Sequence, residues 1–299
     1  MRTIRIGTRG SRLALIQCGI VARMLEAAGY HAELVPITTA GDLRPPDTTP
    51  GEGVFVAAIA GALAAREIDL AVHSAKDIPV GEDPDLVIAA YPDRADPRDA
   101  LLMARQPPEP RPGAIVGTDS PRRAGFLLAR RPDLRIRPLH GNVDTRLRRL
   151  DQGEVDALVL AAAGLDRLGL GTRAAHRFAT TEMPPAPGQG ALAVQARRAD
   201  GATLHVLRAI DRPAVRLAVI SERAVLEGAG GGCRAPIGAL ARLRNGRIQL
   251  VAGAVEPDGS NRRVIELEMP ADLELAVEAC RRTGQQLRES TPVATHQGG

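Results

Sequence analysis

What most constrains this chain is a regular alternation of short apolar runs with amphipathic helices, repeated twice within its first two hundred residues. Residues 3–7 alternate as a strand, and Thr8-Arg9-Gly10-Ser11 then turns into a helix. Its Leu13, Ile16, Ile20, Met24 and Leu25 fall on one face. Gly29 ends that helix, 32–38 reads as a strand, and the Pro-, Gly- and Thr-rich stretch 41–53 reads as a loop. A helix follows over 54–66 with Phe55, Ile59 and Leu63 inward, then a short apolar run over 68–73 typical of a buried strand. After a Pro- and Arg-punctuated stretch at 92–97 the pattern resumes. It gives a strand at 114–117, a helix at 121–131, a strand at 134–139, a helix at 143–152 and a strand at 157–161. Such alternation predicts mostly parallel sheets covered by helices.

The punctuation predicts how the chain divides. Prolines 184, 185 and 187 precede an apolar run at 191–196, so the chain is expected to return to its first lobe near residue 188. Lobe 1 is then 1–92 with 188–211, and lobe 2 is 93–187, with a cleft between them. Asp211-Arg212-Pro213 marks a third boundary. Beyond it, 213–290 reads as a small α+β domain: a helix at 214–226, a glycine-rich loop, strands at 235–243, 248–255 and 263–269, and a closing helix at 273–289. The tail 291–299 is expected to be disordered.

Composition narrows the partners. With no Trp, two Tyr and three Phe, the cores must be aliphatic. No stretch approaches the ~18 apolar residues of a membrane span. The first ten residues carry three arginines and no secretory pattern, so a cytoplasmic location is expected. A net charge of +4 and a pI near 9.5 invite nucleic acid. However, the basic residues are interspersed with 35 acidic ones and there is no aromatic platform for bases, so no nucleic-acid or membrane partner is expected. Cysteines 18, 233 and 280 form neither a disulfide framework nor a zinc spacing, and no metal is expected. Cys18 and Cys280 lie in helical patterns as core residues. Cys233, raised on three glycines beside Arg234, is the candidate for covalent chemistry.

Of 39 basic residues, 38 are arginine and one is Lys76. Chance could leave a single lysine anywhere, but the two cations are not equivalent in a tight site. Four polar segments follow predicted strands: 8–11, 73–77, 117–123 and 140–146. Three open a helix, where free N–H groups suit an anion. Each alone also describes a capped helix with surface arginines. Aimed at one cleft, Arg9, Lys76, Arg122, Arg123 and Arg146 describe a pocket for a ligand with several carboxylates or phosphates. Asp77 could be only the ion-pair partner of Lys76, or a carboxylate held ionised to stabilise a developing cation.

The blocks RIGTRGSRLAL (5–15), EIDLAVHSAKDIP (67–79), DPRDAL (96–101), GTDSPRRAG (117–125), GNVDTRLRRLDQGEVDALVLAAAGLDRLG (141–169), PAPGQGAL (185–192) and GGCRAPIGA (231–239) resemble the porphobilinogen deaminase family in order and spacing. The resemblance implies a hydroxymethylbilane synthase. Four porphobilinogen molecules would be joined head to tail, each losing ammonia, on a dipyrromethane cofactor thioether-linked to Cys233. It implies Asp77 as the catalytic carboxylate. Arg9, Ser11, Lys76, Thr118, Ser120, Arg122, Arg123, Asn142, Arg146 and Arg167 would hold acetate and propionate groups, with Gln189 and Gly190 at the hinge side. It also implies a monomer. Three positions depart from the pattern. His140 stands where the family usually has arginine, so binding there should be weaker and pH-dependent. Glu52 stands where the lid loop usually has lysine, and Gln195 where glutamate is common. The two-lobed plan also resembles type II periplasmic binding proteins, which leaves a non-catalytic receptor for a small polycarboxylate as the alternative. Such a receptor would usually carry a secretion signal and needs no loop cysteine.

Overall fold

The computed structural model describes residues 3–37, 54–79, 81, 83–105, 108–232 and 235–290. The first sheet contains β1 (Ile4–Thr8), β2 (Ala32–Pro36), β3 (Leu70–Ser74), β4 (Leu86–Ala90) and β10 (Leu192–Arg197), in the order β2-β1-β3-β10-β4. The second contains β5 (Asp99–Met103), β6 (Ile115–Gly117), β7 (Arg135–Arg137), β8 (Ala157–Ala161) and β9 (Ala174–Arg177), in the order β7-β6-β8-β5-β9. Both follow one plan. β1 pairs parallel with β2 and β3, and β6 does so with β7 and β8. A single inverted strand, β10 or β5, then pairs antiparallel on both of its sides.

Each inverted strand is the one reached from the other lobe. The two crossovers run side by side: the Ala95 N–H donates to the Gly190 carbonyl at 3.2 Å. A buried hinge is therefore a direct product of the strand order.

Helices cover the sheets as the periodicity predicts. α1 (Arg12–Ala27) buries Gln17, Cys18, Val21, Ala22 and Leu25 on one face, and Gly29 follows at φ +87°. α2 (Val54–Ala64) and α6 (Gly201–Leu207) complete the first lobe. The second carries α3 (Pro121–Leu128), α4 (Val143–Asp151) and α5 (Ala162–Arg167). The cores are aliphatic, with Phe126 among the few aromatics fully enclosed. The third unit is an antiparallel sheet of β11 (Ile237–Arg244), β12 (Arg247–Ala254) and β13 (Arg263–Pro270). Against it lie α7 (Pro213–Gly228) and α8 (Leu273–Ser290). These helices cross closely because glycine stands at the contact: a Cβ on Gly228 would lie 1.9 Å from the Arg281 carbonyl oxygen.

The fold class is the expected one, two mixed α/β lobes with mostly parallel sheets and a small α+β unit. Cys18 and Cys280 are buried, and burial pushes their thiols up to about 11 and about 12. Three strands (β4, β5 and β9) and two short helices (α5 and α6) form where the sequence pattern had assigned none. The helix expected over 121–131 closes at Leu128. The predicted loop 41–53, with Glu52, and the tail 291–299 lie outside the described residues.

Candidate active site

Site side chains come from the carboxyl ends of parallel strands in both lobes. In the first, β1 ends at Thr8, Arg9 follows half-buried, and Ser11 caps α1 by accepting from the Ala14 N–H at 3.4 Å. β3 runs into a single 3₁₀ turn, Ala75–Asp77, and α1 is tied to its start by Gln17 Nε2 donating to Ser74 Oγ at 2.9 Å. In the second, Thr118 is buried after β6 and its Oγ1 accepts from the Ser120 N–H at 3.2 Å. Ser120 caps α3 with Pro121 in the first turn, where a missing N–H costs nothing. Asn142 caps α4 through the Thr145 N–H at 2.9 Å. The lobes meet across these ends, where Arg12 Nη2 donates to the Leu168 carbonyl at 3.4 Å.

At the hinge the charges converge on one amide. Gln189 is fully buried. Its Nε2 donates to the Pro97 carbonyl at 2.8 Å and to Asp99 Oδ1 at 3.0 Å, while its Oε1 accepts from Lys76 Nζ and Arg123 Nη2, both at 3.3 Å. This pattern allows only one orientation of the amide. Asp99, with no exposed surface, also accepts from Arg123 Nε and Arg122 Nη1 at 2.8 Å each. Burial alone would favour its neutral acid, but the charges of Arg122 and Arg123 outweigh that and hold it ionised, well below the usual carboxylate range. Burial, then the charge of Arg123, push the Lys76 ammonium down to about 8, against the opposing pull of Asp77 and Asp99. Asp77, one residue on, is exposed.

Backbone conformation lets these groups approach. Gly188 has φ +77°, and a Cβ there would lie 3.0 Å from the Ala75 Cβ and 3.1 Å from the Lys76 nitrogen. Gly190 has φ +87°, and a Cβ would lie 2.5 Å from the Ala95 carbonyl oxygen. Both positions therefore require glycine. The Gly190 carbonyl accepts from Arg167 Nη2 at 2.8 Å, and burial pushes that guanidinium down to about 10.

A second cluster lies on the lobe 2 wall. Asp119 Oδ1 accepts from the Leu139 N–H at 2.7 Å and faces His140 Nδ1 at 3.1 Å. Its Oδ2 accepts from Arg146 Nη2 at 2.7 Å, and Arg146 Nε donates to the Gly141 carbonyl at 2.9 Å. Burial lowers the Arg146 guanidinium from its ordinary value, Asp119 opposes this, and Arg123 adds to it.

The structure thus gathers Lys76, Arg122, Arg123, Gln189, Gly190 and Arg167 around the hinge, and His140, Asn142 and Arg146 beside them. Cys233 lies outside the described residues. Its loop leaves α7 through Gly230, at φ +66°, and re-enters at Ala235, whose N–H donates to the Gly232 carbonyl at 3.0 Å. Sequence reasoning missed Asp99 and Asp119, the acids that hold the arginines. Two adjacent arginines in a helix of a mostly apolar lobe were the available signal, since buried guanidinium demands a carboxylate. Among the described residues no group of acids, histidines and cysteines could hold a metal ion.

The fold defines the class: two mixed α/β lobes and a small α+β unit, with Lys76, Arg122, Arg123 and Arg167 gathered at the two crossovers. Residues 4–205 match the family model "Porphobilinogen deaminase, dipyromethane cofactor binding domain", and 216–290 match that of the porphobilinogen deaminase C-terminal domain. The porphobilinogen deaminase of Acidothermus cellulolyticus is 49% identical over 273 residues, covering 87% of this chain and 81% of that protein. That of Nocardia farcinica is 46% identical over 301 residues, covering 96% and 86%. Among solved structures, the methionine-binding protein MetQ covers 70% of this chain and 89% of its own, with 13% identity and a TM-score of 0.46. The chain belongs to the porphobilinogen deaminase family.

Proposed function

We propose that this chain is a hydroxymethylbilane synthase that joins four porphobilinogen molecules head to tail, with loss of one ammonia at each step. The observation that carries the site reading is the convergence of Lys76 and Arg123 on one oxygen of Gln189, with Asp77 next in the chain at the open end. Every pyrrole of such a chain brings an acetate and a propionate, so the ligand gains two negative charges per addition. A donor set of one ammonium and several guanidiniums suits that polyanion.

The dipyrromethane, thioether-linked to Cys233, supplies the nucleophilic pyrrole end to which substrate units are joined. Arg9, Ser11, Lys76, Thr118, Ser120, Arg122, Arg123, His140, Asn142, Arg146, Gln189 and Gly190 would hold its carboxylates. Arg9, Arg122, Arg146 and Arg167 would hold those of the incoming porphobilinogen. The Asp77 carboxylate accepts hydrogen bonds from pyrrole N–H groups and stabilises the cation left when ammonia departs from porphobilinogen. It also takes up the proton released as the new carbon–carbon bond is completed. The same reading takes the chain to be a cytoplasmic monomer of three units, 1–92 with 188–211, 93–187 and 213–290. No described helix is long and apolar enough to cross a membrane.

Intact mass of the native protein and of Cys233→Ser, before and after porphobilinogen, tests this directly. Native protein should carry an adduct of two pyrrole units and show further ladder peaks on substrate, and Cys233→Ser should show neither. A bare polypeptide mass that porphobilinogen or preformed tetrapyrrole leaves unchanged would favour the non-catalytic polycarboxylate receptor.

A further inference from the structure

Arg122 and Arg123 are held from behind by one carboxylate with no exposed surface, Asp99 at the first position of β5. Its Oδ1 takes both Arg123 Nε at 2.8 Å and Gln189 Nε2 at 3.0 Å, and its Oδ2 takes Arg122 Nη1 at 2.8 Å. Two consequences follow from these contacts. With Nε held by Asp99 and Nη1 by the Val159 carbonyl at 3.3 Å, Arg123 turns its Nη2 toward Gln189. With Nε2 pinned between Pro97 and Asp99, Gln189 must present Oε1 to Lys76 and Arg123. An amide free to rotate would bring its NH₂ against two cations. One carboxylate therefore orients a lobe 2 guanidinium and, through the hinge amide, a lobe 1 ammonium.

Charge adds a second argument. Lys76, Arg122 and Arg123 are three cations around one buried carboxylate, with Asp77 exposed at the open end. The positive surplus draws an anion to the place where Lys76 and Arg123 meet.

We propose that Asp99 is a positioning residue for carboxylate recognition: it sets Lys76 and Arg123 side by side so that together they receive one carboxylate of the dipyrromethane. The proposal rests on the reading of the cleft as a site for carboxylated pyrroles.

The lone lysine makes a direct test available. Protein labelled with ¹³C at lysine Cε gives one lysine ε-carbon signal, that of Lys76. The charged groups acting on its ammonium are Asp77 on its own turn, Asp99 on β5, and Arg122 and Arg123 on α3. In Cys233→Ser, which carries no pyrrole carboxylates, the signal should titrate at about 8. In the same background Asp99→Asn removes a charge that raises this midpoint, so it should fall. With Cys233 present, Asp99→Asn should lower the fraction of molecules carrying the two-pyrrole adduct roughly tenfold, as read by intact mass. Asp99→Glu keeps the charge and displaces the carboxylate by one bond. It should fold and lose the adduct similarly, and it carries the test if Asp99→Asn is recovered only as aggregate. An unmoved Lys76 midpoint in Asp99→Asn, or a native fraction of adduct in either folded variant, overturns the proposal. If native protein never turns over porphobilinogen, the functional reading fails, while the Lys76 signal still reports whether Asp99 couples to the lysine.

Discussion

At the scale of single residues, His140 separates this cleft from one lined only by permanent cations. Its Nδ1 faces Asp119 Oδ1 at 3.1 Å, and the same oxygen is anchored by the Leu139 N–H at 2.7 Å. Asp119 cannot swing aside without leaving that backbone donor unpaired. An imidazole carries one nitrogen on each side of the ring and cannot make the paired bonds that a guanidinium makes to a carboxylate. An arginine stays charged at every working pH and makes two parallel bonds. His140→Arg should therefore lower KM for porphobilinogen, as read from steady-state rates across the working pH range. An unchanged KM at every pH would remove His140 from the site. The identities of these cations were legible in the sequence, because arginines after strand ends at helix starts suit anions. Their directions were not. Arg122 and Arg123 turn toward Asp99, an acid more than twenty residues earlier that opens an unpredicted strand. Only tertiary folding brings the three together.

At the scale of elements, β3 and β10 carry a buried polar pair of their own. His73 Nε2 lies 3.2 Å from Gln195 Oε1 across the antiparallel ladder, and burial pushes the imidazole down to about 4, against the opposing effect of Gln195. The folded chain thus resists protonating a group that the unfolded chain protonates near the ordinary imidazole value of 6.5. The contribution is complete above that value and is lost progressively as pH falls toward about 4, by roughly 3 kcal/mol in all. Gln195→Glu places a carboxylate beside the ring and favours the imidazolium. Urea unfolding from pH 7 to pH 4 should then show a smaller acid-linked loss than the native chain; an equal loss would mean that other groups dominate the acid limb. Elements with strong periodicity were the legible ones, such as α1, β8 and the third unit. β5 was missed because its five residues open with aspartate directly after a proline- and arginine-rich stretch, which reads as a joint. β9, sequence AAHR, has no apolar pattern and is held by pairing with β5 at the sheet edge.

At the scale of the whole molecule, the question is what sets the angle at which the two lobes face each other. The third unit reaches all parts of the hinge. The Ala239 N–H of β11 donates to the Pro185 carbonyl at 2.8 Å, and Arg223 of α7 donates to the carbonyls of Ile78 and Pro79 at 2.9 and 2.7 Å, just beyond Asp77. At the centre lies Glu222, fully buried on α7. Its Oε1 takes Arg94 Nη1 at 2.5 Å and the Ala241 N–H at 2.8 Å; its Oε2 takes Arg94 Nη2 at 3.0 Å and the Gly188 N–H at 2.7 Å. Arg94 in turn donates from Nε and Nη2 to the Gln189 carbonyl at 2.9 and 2.8 Å. One carboxylate thus joins the third unit to both crossovers, next to the amide that Lys76 and Arg123 share. Removing its charge leaves Arg94 nearly buried and unpaired, at a cost of about 3–5 kcal/mol. In a chain of this size that corresponds to a Tm lower by on the order of 10 °C. Glu222→Gln should show that drop, with faster amide exchange over 184–190, where the hinge loses its anchor. The exposed pair Arg247–Glu268 is the control, for which Glu268→Gln should shift Tm by no more than about 2 °C. Equal small shifts in both variants would mean that the lobes hold their angle without the third unit, leaving the cofactor loop as its contribution to the cleft.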